Sequence, residues 1–282
     1  MTSQSTVVGA VLGKPVSHSL SPALYQAAFS QIGINGQYVA IECDANNVVD
    51  TFRELRRGAL KALSITMPLK EVIIPLLDKI DSNAQLLNAV NCVSFDGGVA
   101  IGHNTDGDGC CDALEEQGGA VLRGATAVVL GAGGTARSVA LALGRRGANV
   151  IIVNRTPENA DALCRRLSVD IATHGGDVRV GSFEDVRRAS VLVNTTSVGM
   201  NSVDTPLPAE FLHSSLVVLD AVYQPMTTTL LADAQRSGAV TVDGLWMLIQ
   251  QARRQCVHQF GQKPPVDVLR EAAERELSHR HK

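Results

Sequence analysis

The 282 residues are 45% hydrophobic and 19% charged, with a formal net charge of -3. That composition supplies a core for one large domain or two ordinary ones and excludes a disordered polymer. No block of five or more like charges and no apolar run of membrane-spanning length occurs, which argues against nucleic-acid and membrane partners.

The opening stretch MTSQSTVVGAVLG lacks a basic region, and its apolar run is broken by Gly9 and Gly13. It reads as a first β-strand rather than a secretion signal. SPALYQAAFSQIG follows as a helix with Pro22 in its first turn, then QYVAIE as a strand and NNVVDTFRELRRG as a helix ending at Gly58. KALSIT is a third strand. AVNCVSF and GVAIGHN flank the turn signal Asp96-Gly97-Gly98 and are expected to pair as a hairpin, which makes the first sheet mixed. Within LSITMPLKE, residues 63–71, an apolar run ends at Thr66 and Pro68 begins a new helix. Lys70 then falls in a first helical turn, where the helix dipole disfavours a cation.

Near residue 107 the pattern restarts. Thr126 to Leu130 reads as a strand and Asn149 to Val153 as the next. Between them Ala136, Val139, Ala140 and Leu143 fall at i, i+3, i+4 and i+7, one buried helical stripe, with Gly147 as its stop. SVLVNTTS, LVVLDAVY and GAVTVDG each end a strand where a loop begins. A last helix is expected from about Leu245 to Phe260 and is expected to cross back to the first domain. The expected layout is an α/β substrate domain of residues 1–106 and 245–282, with a nucleotide domain inserted at 107–244. Six cysteines (Cys43, Cys92, Cys110, Cys111, Cys164, Cys256) show neither C-x-x-C pairing nor zinc spacing with histidine. Free thiols, a cytoplasmic location and no metal are the expectations.

GAGGTA (Gly131, Ala132, Gly133, Gly134, Thr135, Ala136) sits between a strand and a helix, the context of the dinucleotide fingerprint. Gly131 allows the tight turn, Gly133 the approach of a pyrophosphate, and Ala136 the packing of helix on strand. The helix N-terminus presents unpaired N–H groups to the phosphates. The inserted domain is therefore expected to be a Rossmann-type doubly wound sheet. Where NAD-binding folds place an acidic residue after the second strand, this chain has VNRTPEN. Asn154, Arg155 and Thr156 suit a 2′-phosphate, so NADP is the expected cofactor. Thr156, before Pro157, also suits a helix N-cap.

SHSLSP places Ser19 and Ser21 at the end of the first strand, either as caps or as ligands to a carboxylate. Taken in order, SHSLSP, SITMPLK, AVN, HNTDGDG, GAGGTAR, VNRT, NTTSVGM and DGLWMLIQQA resemble the shikimate dehydrogenase family along nearly the whole chain. The resemblance implies that Ser19 and Ser21 bind the substrate carboxylate, with Tyr223 near it. It implies that Thr66, Lys70, Asn91 and Asp106 surround the ring hydroxyls, with Lys70 and Asp106 as the catalytic pair. Gln251 would reach a ring hydroxyl, Gly244 would lie near the nicotinamide, and Thr195 would belong to the cofactor site. The implied reaction is reversible reduction of 3-dehydroshikimate to shikimate by NADPH. Three positions depart from the family pattern: Ser64 for asparagine, Trp246 for glycine, and Asn159 where a second basic residue often stands. They leave quinate and an aminoshikimate as alternative substrates, and a non-catalytic NADP-binding sensor as the alternative of another class. The expected partner is a small-molecule substrate, the expected state a monomer or homodimer, and the expected hinge lies near Asn104–Gly109 and Asp243–Gly244.

Overall fold

A computed structural model describes residues 6–58 and 60–280. The first five residues of the stretch read as leading into the first strand lie outside the described residues. The chain divides into two compact units, residues 1–105 with 252–282, and residues 106–251.

The first unit runs β1 (Val7–Gly13), α1 (Ser21–Ile32), β2 (Gln37–Glu42), α2 (Val48–Arg57), β3 (Ala62–Ile65), α3 (Leu69–Val72), β4 (Lys79–Ile80), α4 (Ser82–Leu87), β5 (Cys92–Asp96) and β6 (Val99–His103). Its sheet has the order β2-β1-β3-β5-β6-β4. β1 pairs parallel with β2 and β3, and β5 pairs antiparallel with β3 and β6. The mixed sheet follows from the turn: Asp96 pairs with Val99, and the two residues between have φ of 55° (Gly97) and 86° (Gly98). Two successive left-handed residues match the twist of a hairpin, and glycine adopts them without a Cβ clash.

Alternation along the central strands separates two faces. Ala10, Leu12, Leu63 and Ile65 pack with Phe52 of α2 and Val93 of β5 in one core. On the opposite face Tyr25 of α1 stacks on Tyr38 of β2 with ring centroids 3.9 Å apart. Phe29 meets Tyr25 edge-on at 5.9 Å, a favourable aromatic geometry.

The second unit runs α5 (Asp106–Glu116), β7 (Thr126–Leu130), α6 (Gly134–Arg145), β8 (Asn149–Val153), α7 (Pro157–Thr173), β9 (Asp177–Val180), β10 (Val191–Asn194), β11 (Val217–Asp220), α8 (Thr229–Arg236), β12 (Val240–Val242) and the start of α9 (Gly244–Phe260). Its strands are all parallel, in the order β12-β11-β10-β7-β8-β9. The winding reverses between β7 and β10, which makes a doubly wound sheet with its switch point there. Ala136, Val139, Ala140 and Leu143 of α6 are fully buried, as their spacing requires. α5 lies so close to α6 that a Cβ on Gly107 would fall 1.9 Å from the Ser138 carbonyl oxygen.

Beyond α9 the sequence reading needs a correction. The helix ending at Phe260 is not the last: α10 (Val266–Arg280) follows and buries Leu269, Ala273 and Leu277. That stripe is one residue wide and set among charges, so it gives a weak periodic signal. All six cysteines are free and buried. Burial pushes their thiol pKa values up, Cys164 to about 11 and Cys256 to about 12. Among the described residues no helix is long and apolar enough to cross a membrane.

Candidate active site

In the first unit, sheet topology gathers the candidate residues at one end. β1 and β3 are parallel, so the loops after Gly13 and Ile65 leave from the same edge. They are tied together: Thr66 N donates to Leu12 O at 2.9 Å and Lys14 N to Met67 O at 2.8 Å. A Cβ on Gly13 would fall 2.3 Å from Thr66 Cγ2 and 2.7 Å from Met67 O, so a side chain there would push the two loops apart. β5 runs antiparallel to β3 and therefore starts at this end, with Asn91 just before it. Ile65 N donates to Asn91 O at 2.8 Å, and Val90 N to Lys70 O at 2.7 Å. β6 ends here too, because Cys92 pairs with His103.

Ser19 lies in the loop after β1, and its Oγ accepts the Ser21 N–H at 3.1 Å, so one of the paired serines organises the start of α1. Thr66 and Lys70 are half-buried. α3, which holds Lys70, has four residues. The dipole argument for Lys70 therefore falls away, since one turn aligns too few peptide dipoles. Asn91 is 1% exposed, and its Oδ1 accepts Thr105 N–H at 2.9 Å while its Nδ2 donates to Thr105 Oγ1 at 3.0 Å. Asn104 Nδ2 donates to Ala89 O at 3.0 Å. The segments AVN and HNT are thus cross-locked, and Asp106 follows them directly as the first residue of α5.

Ser64, the first departure from the family motif, has buried partners of its own. Tyr38 donates to Ser64 Oγ at 2.6 Å, Ser64 donates to Gln255 Oε1 at 2.5 Å, and Gln255 Nε2 donates to Asn91 O at 3.2 Å. Burial pushes the Tyr38 hydroxyl well above its usual pKa, so it remains a donor.

His103 closes the same end of the sheet. Its Nδ1 is 2.9 Å from Asp81 Oδ2, and its Nε2 is 3.0 Å from Ser94 Oγ. A carboxylate only accepts, so Nδ1 carries a proton and donates it to Asp81. Asp81 also caps α4 through the Ala84 N–H at 2.7 Å. Burial opposes its ionisation, but the bonds from His103 and Ala84 hold its carboxyl below the usual carboxylate range. A carboxyl held low in the folded state adds stability above its unfolded pKa of about 4 and loses it as pH falls through the folded value. Asp81→Asn is expected to lower stability at pH 7 by about 1–2 kcal/mol, discounted because the side chain is partly exposed. It is also expected to flatten the loss of stability in acid. Urea midpoints across the acid range test this, and identical slopes for the two proteins would count against it.

In the second unit the parallel strands deliver the other candidates to their carboxyl ends, the ligand-binding edge of such sheets. Gly131 follows β7 at φ 112°, and a Cβ there would lie 2.8 Å from Thr195 Oγ1. Thr195, after β10, donates its hydroxyl to Leu130 O at 2.6 Å, which seals the switch point. Gly133 is the N-cap of α6, makes no side-chain cap, and has no atom within 4 Å of a Cβ position. Ala132, Gly134, Thr135 and Ala136 complete that turn. After β8, Asn154 Nδ2 donates to Thr156 O at 2.8 Å, and Arg155 is exposed. Thr156 stands at the N-cap position of α7, yet its hydroxyl makes no capping bond, contrary to the capping role its place before Pro157 suggests. An open glycine turn, a helix N-terminus and an exposed guanidinium fit a phosphorylated dinucleotide. Tyr223 follows β11. Gly244 opens α9, where a Cβ would lie 2.6 Å from Ala221 O and 2.7 Å from Asp220 O. Gln251 lies on α9, and Gly109 of α5 passes so close that its Cβ would fall 2.6 Å from Gln251 N. Trp246 is half-buried on the same helix.

One polar centre at this edge escaped the sequence reading. Asp220 is fully buried at the end of β11, where it accepts from Asn194 Nδ2 at 2.9 Å, Val222 N at 3.0 Å and Thr228 Oγ1 at 2.7 Å. Burial pushes its carboxyl pKa up against those three bonds. Its signal was a single carboxylate closing the apolar run LVVL. Among the described residues no group of three or more His, Cys, Asp or Glu side chains is placed to hold a metal ion.

Residues 11–93 match the family described as shikimate dehydrogenase substrate binding domain, and residues 113–187 the family described as shikimate / quinate 5-dehydrogenase. A Haloarcula marismortui protein named shikimate dehydrogenase (NADP(+)) is 41% identical over 260 residues, 92% of this chain and 95% of that one. The structure of Thermus thermophilus shikimate 5-dehydrogenase in complex with NADP(H) and shikimate is 37% identical with a TM-score of 0.88, covering 96% of this chain and 100% of the other. Ligand-free 5-ketofructose reductase of Gluconobacter sp. strain CHM43 also reaches a TM-score of 0.88, at 28% identity, covering 96% and 98%. With matches spanning both units and identity near 40% over most of its length, the chain belongs to the shikimate dehydrogenase family.

Proposed function

We propose that the protein catalyses the reversible NADPH-dependent reduction of 3-dehydroshikimate to shikimate. The observation that carries this reading is 37% identity, over 96% of the chain, to an enzyme whose structure holds NADP(H) and shikimate. The strand ends described above support it, because they carry the candidate set in both units.

NADPH supplies the hydride. The glycine turn at Gly131–Ala136 and the N-terminus of α6 would hold its pyrophosphate, and Asn154, Arg155 and Thr156 its 2′-phosphate. A charge-assisted hydrogen bond from Arg155 is worth about 10- to 150-fold in affinity, enough to set NADP above NAD. As the substrate carbonyl becomes an alkoxide, negative charge gathers on oxygen. Lys70 stabilises that charge and donates the proton, with Asp106 as its catalytic partner. Ser19, Ser21 and Tyr223 hold the ring carboxylate; Thr66, Asn91 and Gln251 hold ring hydroxyls.

The test mixes purified protein with NADP and, separately, shikimate, quinate and an aminoshikimate, and follows NADPH absorbance. Turnover with shikimate, and a lower KM for NADP than for NAD, are expected. Faster turnover with quinate or an aminoshikimate would reassign the substrate. Tight NADP binding without turnover of any of the three would make the protein a sensor.

A further inference from the structure

The loop that carries Ser19 is pinned by the buried Val16 and Leu20, with a polar stretch between them. Ser17 and His18 are exposed, and the local bonds are Ser19 N to Val16 O at 3.0 Å and Ser21 N to Ser19 Oγ at 3.1 Å. On one side lies a cavity of about 500 Å³ lined by Ser17, Ser19, Gln26, Tyr38, Glu276 and Arg280 among others, so side-chain packing does not back the loop there.

Across this gap reaches the last residue of α10. Arg280 Nη1 donates to His18 O at 2.7 Å and Nη2 to Ser19 O at 3.1 Å. Its Nε donates to Glu276 Oε1 at 2.9 Å, one helical turn earlier. Three N–H directions of one planar group are thus fixed at once: a carboxylate orients the guanidinium, and its fork grips two successive carbonyls. A lysine has no such fork. α10 packs along α1, the helix into which the Ser19 loop runs.

We propose that Arg280 is a positioning residue for the substrate carboxylate site: it holds the His18 and Ser19 carbonyls and so fixes where the Ser19 hydroxyl points. This rests on the reading of Ser19 as a ligand to that carboxylate. Arg280 acts through the loop and touches no reacting atom, so its effect falls on substrate binding.

The test compares the full chain with Arg280→Met, Arg280→Lys, Glu276→Gln and Ser19→Ala in steady-state assays with shikimate and NADP. Arg280→Met is expected to raise KM for shikimate about 5- to 20-fold, with kcat within about twofold and KM for NADP unchanged. Arg280→Lys is expected to stay close to Arg280→Met, because charge without the fork does not grip both carbonyls. Glu276→Gln is expected to raise the same KM about two- to threefold, and it carries the test if Arg280→Met fails to fold. If Ser19→Ala raises KM for shikimate while Arg280→Met and Glu276→Gln leave it unchanged, the inference is overturned and the reading of Ser19 stands. Unchanged KM in all of these variants overturns both. A lower melting temperature of Arg280→Met with unchanged KM makes Arg280 an anchor for α10 alone, which also overturns the proposal.

Discussion

Lys70→Ala is expected to lower kcat by about two to four orders of magnitude, with a modest change in KM for the substrate. The size follows from the charge: an ammonium beside a forming alkoxide both stabilises it and supplies its proton, and alanine does neither. Two to four orders correspond to about 3–5.5 kcal/mol of transition-state stabilisation. The backbone around Lys70 is held by main-chain bonds of its own. Val90 N holds the Lys70 carbonyl at 2.7 Å, and Leu69 N is bonded to Thr66 O at 2.9 Å. The variant should therefore keep its fold and its cofactor affinity, and the loss should appear in kcat. Steady-state kinetics with shikimate and NADP measure it; an unchanged kcat removes Lys70 from the mechanism.

Much of the frame around Lys70 was legible beforehand, because strands and helices of ordinary length carry their own periodicity. β1, β2, β7 and β8 occupy the stretches their short apolar runs mark. Elements of two or four residues, such as β4 and α3, are too short to show a period. α10 hid in a thin stripe among charges. For the candidate site, motifs pointed to strand ends but not to the partners behind them. Ser64 bonds to Tyr38 26 positions away and to Gln255 191 positions away. Arg280 reaches a carbonyl 262 positions earlier. Such pairings are products of sheet order and helix return, which no local spacing encodes.

Gly107→Ala is expected to cost about 3 kcal/mol or more of stability, the upper end for overpacking. At Gly107 an added methyl would stand 1.9 Å from Ser138 O, 2.5 Å from its carbonyl carbon and 2.9 Å from Ala142 Cβ. Two of these atoms are backbone, and the third is a Cβ fixed to it, so no rotamer change makes room. α5 and α6 would have to separate, which would open the packing beside the glycine turn. Urea unfolding monitored by circular dichroism measures the effect. A stability within about 0.5 kcal/mol of the parent would show that the helices slide apart at little cost.

The buried cysteines turn the protein into its own opening gauge. Cys43, Cys92 and Cys256 belong to one unit and Cys110, Cys111 and Cys164 to the other. A thiol reagent attacks the thiolate, and each of these groups is shielded from solvent with its proton held more tightly than in a free thiol. Labelling must then wait for local or global opening, and its rate at each position reports how often that part of the chain comes undone. Three built-in probes per unit let mass spectrometry follow which half loosens first under heat or denaturant, without introducing a single label site.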